Sequence, residues 1–253
     1  MNKAWFLAVA LATVLCCVGS FTITFAGEEA PAPPPAPAPA APEEELPTEL
    51  NFFQLVAAGG AIGWVIVALS FVMVALVIEN FVTIRRDKIL PPDVLGELEE
   101  LFSKQEYDAA AELCEAERNL LTNVVGSGLA KINAGWERME AAMGETAEEA
   151  STSLYQKVGY LNLIGNIAPM LGLLGTVVGM VQAFMVIATA GGTPRPAQLA
   201  EGIYLALITT VMGLIVAIPA LAAYFFFRNR VAKLLIEAGA VTSELMERFR
   251  PRQ

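Results

Sequence analysis

Three long uncharged stretches dominate the pattern of hydrophobic and polar positions along the chain. Each exceeds the roughly 20 apolar residues that an α-helix needs to cross a bilayer. We therefore predict an all-α integral membrane protein with three transmembrane helices. Their predicted ranges are 52–84, 158–190 and 202–227.

The N-terminus has the layout of a secretory signal peptide, which we assign to residues 1–26. Lys3 precedes a short apolar segment, and small residues occupy the −3 and −1 positions of a cleavage site after Ala26. An uncleaved additional transmembrane helix is the alternative. Lipidation at Cys16 or Cys17 is disfavoured, because the residues before them lack the small side chain usual in lipoproteins.

Residues 27–51 form a segment in which a Pro/Ala run is followed by three glutamates at 43–45. Frequent proline favours extended polyproline II backbone and cannot build a core. We interpret this segment as an extracytoplasmic tether; a docking strip for a ligand is the other reading. Cleavage after Ala26 would leave Cys114 as the only cysteine, so no intramolecular disulfide could form.

Basic residues near the ends of the apolar stretches predict the topology. Most of them follow the first stretch, precede the second or follow the third, whereas Arg195 stands alone between the second and third. The positive-inside rule then makes 85–157 a cytoplasmic helical domain, 191–201 a periplasmic loop and 228–253 a cytoplasmic C-terminal helix. A cleaved signal agrees, since it leaves the N-terminus periplasmic. The expected location is the bacterial inner membrane.

Charge and composition exclude several classes of function. The formal net charge is −10 and the sequence contains no histidine. We therefore expect no nucleic-acid partner, because phosphate binding needs clustered Lys and Arg. Acidic residues in 85–157 lie opposite apolar residues at helical spacing, as on an ordinary solvated helix surface. We predict that the protein is not an enzyme and has no cofactor or metal site.

Small residues recur at spacings of three and four in the second and third apolar stretches. These positions are Gly165, Ala168, Gly172, Thr176 and Gly179, then Ala206, Thr210, Gly213, Ala217 and Ala220. Such faces allow close helix approach in membranes, so plain helix packing is one interpretation. A face of this kind could also border water or a partner helix.

Ionisable residues are scarce inside the predicted spans. Glu79 and Glu201 lie at span ends, and no Asp, Glu, Lys or Arg lies deep in any span. A proton path through hydrocarbon normally needs a titratable group near mid-membrane. Either the protein moves no protons, or another polypeptide supplies the titrating group.

Two segments resemble the signatures of the ExbB/TolQ/MotA proton-channel family, and ExbB most closely. Residues 168–184, APMLGLLGTVVGMVQAF, look like its second-span motif. Residues 206–220, ALITTVMGLIVAIPA, resemble the third-span motif of the ExbB and TolQ branch. The order of spans matches as well, so the resemblance covers about residues 52–241.

The resemblance implies a homopentamer in membrane lipid, with the second and third spans around a central pore. The pore would hold the single helices of an ExbD- or TolR-like partner whose aspartate carries the proton, and a TonB-like protein would transmit force. Thr176 and Thr210 match the family's pore-lining threonines. The motifs also contain the helix-packing positions Gly172, Gly175, Gly179, Gly213, Pro169 and Pro219.

One position departs from the family pattern. ExbB and TolQ commonly carry a glutamate directly before the Ala-Leu of the third-span motif, where this chain has Leu205. Glu201 lies one turn earlier and is a candidate pore residue, or else a simple interfacial charge.

Three other functions stay open. A TolQ-like envelope-maintenance or gliding motor subunit would use the same spans. A membrane scaffold that conducts no ions is the second alternative. A flagellar-type stator using sodium or protons is disfavoured, because that branch has four spans.

Overall fold

The computed structural model describes residues 59–189 and 196–250, apart from the side chains at 196–199 and 201. Within these ranges the chain forms helices and no strand. The helices are α1 (Gly60–Thr83), α2 (Arg86–Ile89), α3 (Pro92–Lys104), α4 (Tyr107–Ala116), α5 (Leu120–Leu129), α6 (Trp136–Thr189) and α7 (Pro196–Met246), with 3₁₀ turns at Ile132–Ala134 and Glu247–Phe249. The predicted signal peptide, the tether and residues 52–58 of the first span lie outside the described residues.

Three of these helices, α1, α6 and α7, are long and apolar enough to cross a membrane. A helix satisfies its own backbone hydrogen bonds, which a segment in hydrocarbon must do. The all-α class and the three span-forming helices therefore agree with the sequence-based prediction.

Helix α6 runs without interruption through the predicted boundary between the cytoplasmic domain (85–157) and the second span (158–190). The hydropathy change near Lys157 marks a change of surroundings. The sequence around this position contains no residue that would end a helix. Isolated glycines such as Gly144 and Gly159 are tolerated inside a helix. The predicted boundary therefore falls in the middle of a 54-residue helix.

Helix α7 extends beyond the predicted third span (202–227) at both ends. It begins at Pro196, inside the range predicted as a loop (191–201), because proline suits the first position of a helix, where no N–H is needed. It then passes Arg228 without a break and ends at Met246. The third span and the predicted C-terminal helix are thus one helix.

The chain divides into two compact units, and each of the three long helices contributes to both. Among the described residues, the first unit contains 59–68 and Ala168–Pro219. Small side chains fill much of its interior: Ala168, Ala183, Ala206 and Ala217 are all buried. Large apolar side chains such as Phe184 instead lie on its surface, 65% exposed.

The second unit contains Leu69–Ile167 and residues 220–250. Aromatic contacts connect the end of the chain to the turn between α3 and α4. The ring of Phe249 lies 4.9 Å from Tyr107 and 6.0 Å from Phe102, measured between ring centroids. Nearby, the fully buried Met246 approaches Gly128, where an added Cβ would lie 3.1 Å from its Cε. The last residue of α7 is therefore part of this unit's core, and the following 3₁₀ turn packs against α3 and α4 through Phe249.

Cys114 lies in the second unit on α4, against Gly126 of α5. Its side chain is buried, and an added Cβ at Gly126 would lie 3.2 Å from the Cβ of Cys114. Burial raises the pKa of the Cys114 thiol to about 11, because a thiolate would lose its hydration. Asn119 and Thr122 cap the start of α5 reciprocally and fix its position beside α4.

Cys114 should therefore react slowly with alkylating reagents in the folded protein. The raised pKa alone lowers the thiolate fraction at pH 8 by about a hundredfold, and the thiolate is the reactive form. Mass spectrometry of the Cys114 peptide after timed maleimide labelling measures this rate. The same protein in denaturant is the control, and equal rates in the two states would contradict the buried position.

Candidate functional site

The central segments of α6 and α7 approach each other through glycines. A Cβ added at Gly172 would lie 2.9 Å from the carbonyl oxygen of Thr209 and 2.9 Å from the Cα of Thr210. A Cβ added at Gly175 would overlap the hydroxyl oxygen of Thr209 and lie 2.6 Å from its Cβ. Real Cβ contacts are not this short, so the backbones can be this close only because both positions are glycine.

The same close approach continues along both helices. On α6, an added Cβ at Gly179 would lie 2.8 Å from the Cβ of Ala206. On α7, an added Cβ at Gly213 would lie 2.5 Å from the carbonyl oxygen of Ala168. The small faces of the two helices therefore lie against each other within one chain. At these positions the structure supports the helix-packing interpretation of the stripes.

Thr209 lies at the centre of this contact. Its side chain is 3% exposed, and its hydroxyl oxygen lies 2.7 Å from the carbonyl oxygen of Ala206 and 3.1 Å from that of Gly172. An added Cβ at Gly59, just before α1, would lie 3.4 Å from the Cγ2 of Thr209. Thr209 of α7 is thus buried against α6, and an oxygen of α6 lies within hydrogen-bond distance of its hydroxyl.

Thr210 lies at the edge of the same contact. Its side chain is half-buried, and its hydroxyl donates to the carbonyl oxygen of Gly172 over 3.2 Å. Thr176 is also partly exposed, but its hydroxyl donates to Leu173 of its own helix, over 2.7 Å. Of the two threonines predicted to line a pore, the structure therefore connects Thr210 to the neighbouring helix and Thr176 to its own.

The remaining predicted positions are two prolines and Glu201. Pro169 and Pro219 lie inside α6 and α7, where each removes one backbone N–H donor from the helix. Glu201 is in the first turns of α7, but its side chain lies outside the described residues. Leu205, which occupies the position of the family glutamate, is half-buried.

Thr209 lies at the centre of this site but is not among the site residues predicted from the sequence. The sequence places it in the third-span motif, next to Thr210. Residues 206, 209, 213, 216 and 220 follow helical spacing as well as 206, 210, 213, 217 and 220 do. Spacing by itself therefore does not separate the buried threonine from the half-buried one.

The chain is similar to a known family and to proteins named for biopolymer transport. Residues 115–238 match the MotA/TolQ/ExbB proton channel family, and this range includes the whole α6–α7 contact. A biopolymer transport protein exbB1 of Vibrio cholerae is 30% identical over 172 residues, which are 67% of this chain and 75% of that protein.

Two further relatives show different extents of similarity. An ExbB homolog of Methanothermobacter thermautotrophicus is 29% identical over 187 residues, 72% of this chain and 66% of that protein. A biopolymer transport protein ExbB of Salmonella typhimurium is 39% identical over 88 residues, 35% of this chain and 36% of that protein. The chain thus spans just under two thirds of the first of these two proteins and about a third of the second.

The close approach of α6 and α7 predicts that alanine is harmful at Gly175. The added methyl would displace Thr209, and such overpacking costs about 1–3 kcal/mol of stability. Thermal unfolding of the detergent-solubilised protein, together with the yield of assembled protein, measures the effect.

Gly159→Ala is the matched control, because it lies in the same helix and its added Cβ would meet no atom within 4 Å. We expect this variant to unfold at the wild-type temperature or slightly above it, since alanine is the better helix former. Equal melting temperatures for Gly175→Ala and Gly159→Ala would contradict the glycine contact.

Proposed function

The chain belongs to the MotA/TolQ/ExbB proton channel family, and on this basis we propose that it is the proton-channel subunit of an ExbB–ExbD-type motor in the bacterial inner membrane. In this proposal a homopentamer uses the proton-motive force to power transport or mechanical work at the outer membrane, through a TonB-like protein. The names of the relatives, which refer to biopolymer transport, support this choice within the family.

One observation carries the proposal: the apolar segments of α6 and α7 form a close-packed, hydroxyl-bearing wall that contains no carboxylate between its ends. The sequence has no Asp, Glu, Lys or Arg at 158–189 or at 202–227. Threonine hydroxyls can orient a charged group by hydrogen bonds, but they do not ionise near neutral pH. The proton carrier would therefore be the intramembrane aspartate of an ExbD-like single-span partner.

Exposure along the two helices is consistent with such an assembly. On α6, Leu173 is 62% exposed and Phe184 65%; on α7, Leu207 is 59% exposed. These apolar surfaces would face lipid, neighbouring subunits and the partner helix in a pentamer. Thr176 and Thr210 are the partly exposed hydroxyls beside them, so we assign these two residues to the pore lining.

Two finer assignments belong to the same proposal. The N-terminus would be periplasmic and the C-terminus cytoplasmic, in keeping with the distribution of basic residues. Glu201 would offer a carboxylate at the periplasmic end of the pore in place of the family glutamate, whose position is Leu205. The protein would act as a channel and not as an enzyme.

We expect Thr210→Val and Thr176→Val each to lower proton flux by about tenfold, because each loses a hydroxyl that would bond to the partner's carboxylate. The measurement is pH-driven flux into liposomes that contain this protein and an ExbD-type single-span protein with an intramembrane aspartate. Thr189→Val is the matched control, since the exposed Thr189 lies at the end of α6 and bonds to Met185 of its own helix. Normal flux in both pore variants would refute the pore assignment.

Without the partner, the protein should conduct protons poorly. Between its ends, its threonine, alanine and glycine wall holds no proton-binding group, so liposomes with the protein alone should leak little more than empty liposomes. Addition of the single-span partner should raise the flux, and its Asp→Asn variant should not. A strong leak from the isolated protein would refute the partner requirement. No flux with any partner would favour a scaffold.

A further inference from the structure

Thr209 and Thr210 direct their hydroxyls at the same carbonyl group on α6. The oxygen of Gly172 lies 3.1 Å from Oγ1 of Thr209 and 3.2 Å from Oγ1 of Thr210. Thr209 has a second acceptor, the carbonyl oxygen of Ala206, at 2.7 Å. A hydroxyl donates only one proton, so Thr209 can serve either Ala206 or Gly172. Two neighbouring donors therefore share one acceptor on the facing helix.

The two threonines differ in their freedom to move. Thr209 is 3% exposed, with its hydroxyl oxygen beside Gly175 and its methyl group toward Gly59. This burial and the close approach of Gly175 keep the side chain in place. Thr210 is half-buried at the edge of the contact, so its hydroxyl can turn away from Gly172 toward another group.

We propose that Thr209 is a positioning residue for Thr210. It holds α7 against Gly172 at the separation and rotation that place the Thr210 hydroxyl at the edge of the helix pair. This inference rests on the proposed function, in which Thr210 faces the partner's carboxylate. When Thr210 turns to that carboxylate, Thr209 can donate to Gly172 in its place, so a hydrogen bond between the helices is kept.

Valine at position 209 tests this role because it keeps the shape and removes the hydroxyl. A methyl group in the place of Oγ1 would lie 3.1 Å from the Gly172 oxygen. Carbon–oxygen contacts of this kind normally measure about 3.3–3.6 Å. The helices would have to separate by a few tenths of an ångström, which would weaken the longer Thr210 bond as well.

The experiment measures proton flux in the reconstituted complex described above, with the conducting wild-type complex as reference. Thr209→Val should lower the flux by about threefold to tenfold, which is the factor that corresponds to the net free energy of one hydrogen bond. Thr209→Ser keeps the hydroxyl and should restore flux to within about twofold of wild type. In a Thr210→Ala background, Thr209→Val should change the flux by less than about twofold, because it acts through Thr210.

Two results would overturn the inference: a serine variant as impaired as the valine variant, or a valine effect of the same size in both backgrounds. A purely structural role for Thr209 predicts the second. Oligomer mass is checked for every variant. If Thr209→Val does not assemble, Thr209→Ala replaces it, since it removes the hydroxyl without adding bulk; about a threefold loss of flux is expected.

The same variants also distinguish a failure of this inference from a failure of the proposed function. Normal flux in Thr210→Val contradicts the assignment of Thr210 to the pore, on which this inference rests. Reduced flux in Thr210→Val combined with normal flux in Thr209→Val contradicts only the positioning role. A wild-type complex that does not conduct refutes both.

Discussion

The contact between α6 and α7 depends on the absence of β-carbons at its centre. Lipid is as apolar as the helix surfaces, so the hydrophobic effect does little to hold helices together in a membrane. Van der Waals contact and hydrogen bonds must do so, and both require short distances. Glycine at positions 172 and 175 allows the backbone of α7 to come close enough for threonine hydroxyls to reach a helical carbonyl. The close approach thus provides the van der Waals contact that holds α6 and α7 together, and it also makes the hydrogen bonds between them possible.

The existence of three span-forming helices could be predicted from the sequence, whereas their ends could not. A long apolar segment in a bilayer has essentially one way to satisfy its backbone, so an uncharged run of sufficient length predicts a helix. Helix ends depend on caps and breakers, and hydropathy reports neither. The change near Lys157 therefore predicts where the surroundings change, while α6 continues through it. Pro196 similarly begins a helix in a stretch whose composition suggests a loop.

For the site, the spacing of small residues predicts which faces of α6 and α7 are small, but not how the threonines divide their roles. Adjacent residues on a helix point about 100° apart, and either Thr209 or Thr210 fits the repeat. Only the three-dimensional contact distinguishes them: Thr209 is buried beside Gly175, and Thr210 remains at the edge. The family resemblance identifies Thr210 because the family's threonine at this position faces a partner. It does not identify Thr209, whose contacts lie within the chain.

The same close contact leaves no place for a carboxylate at its centre. An added Cβ at Gly175 already overlaps Thr209, so the centre of the helix pair has no room for the side chain of an aspartate or glutamate. A charge buried there would also need a partner to offset its lost hydration. In the proposed channel, the packed centre of the wall offers hydroxyls at its edge, and the aspartate of the partner helix would be the titrating group. A carboxylate on a separate helix could move relative to the wall, which would allow proton binding to be converted into motion.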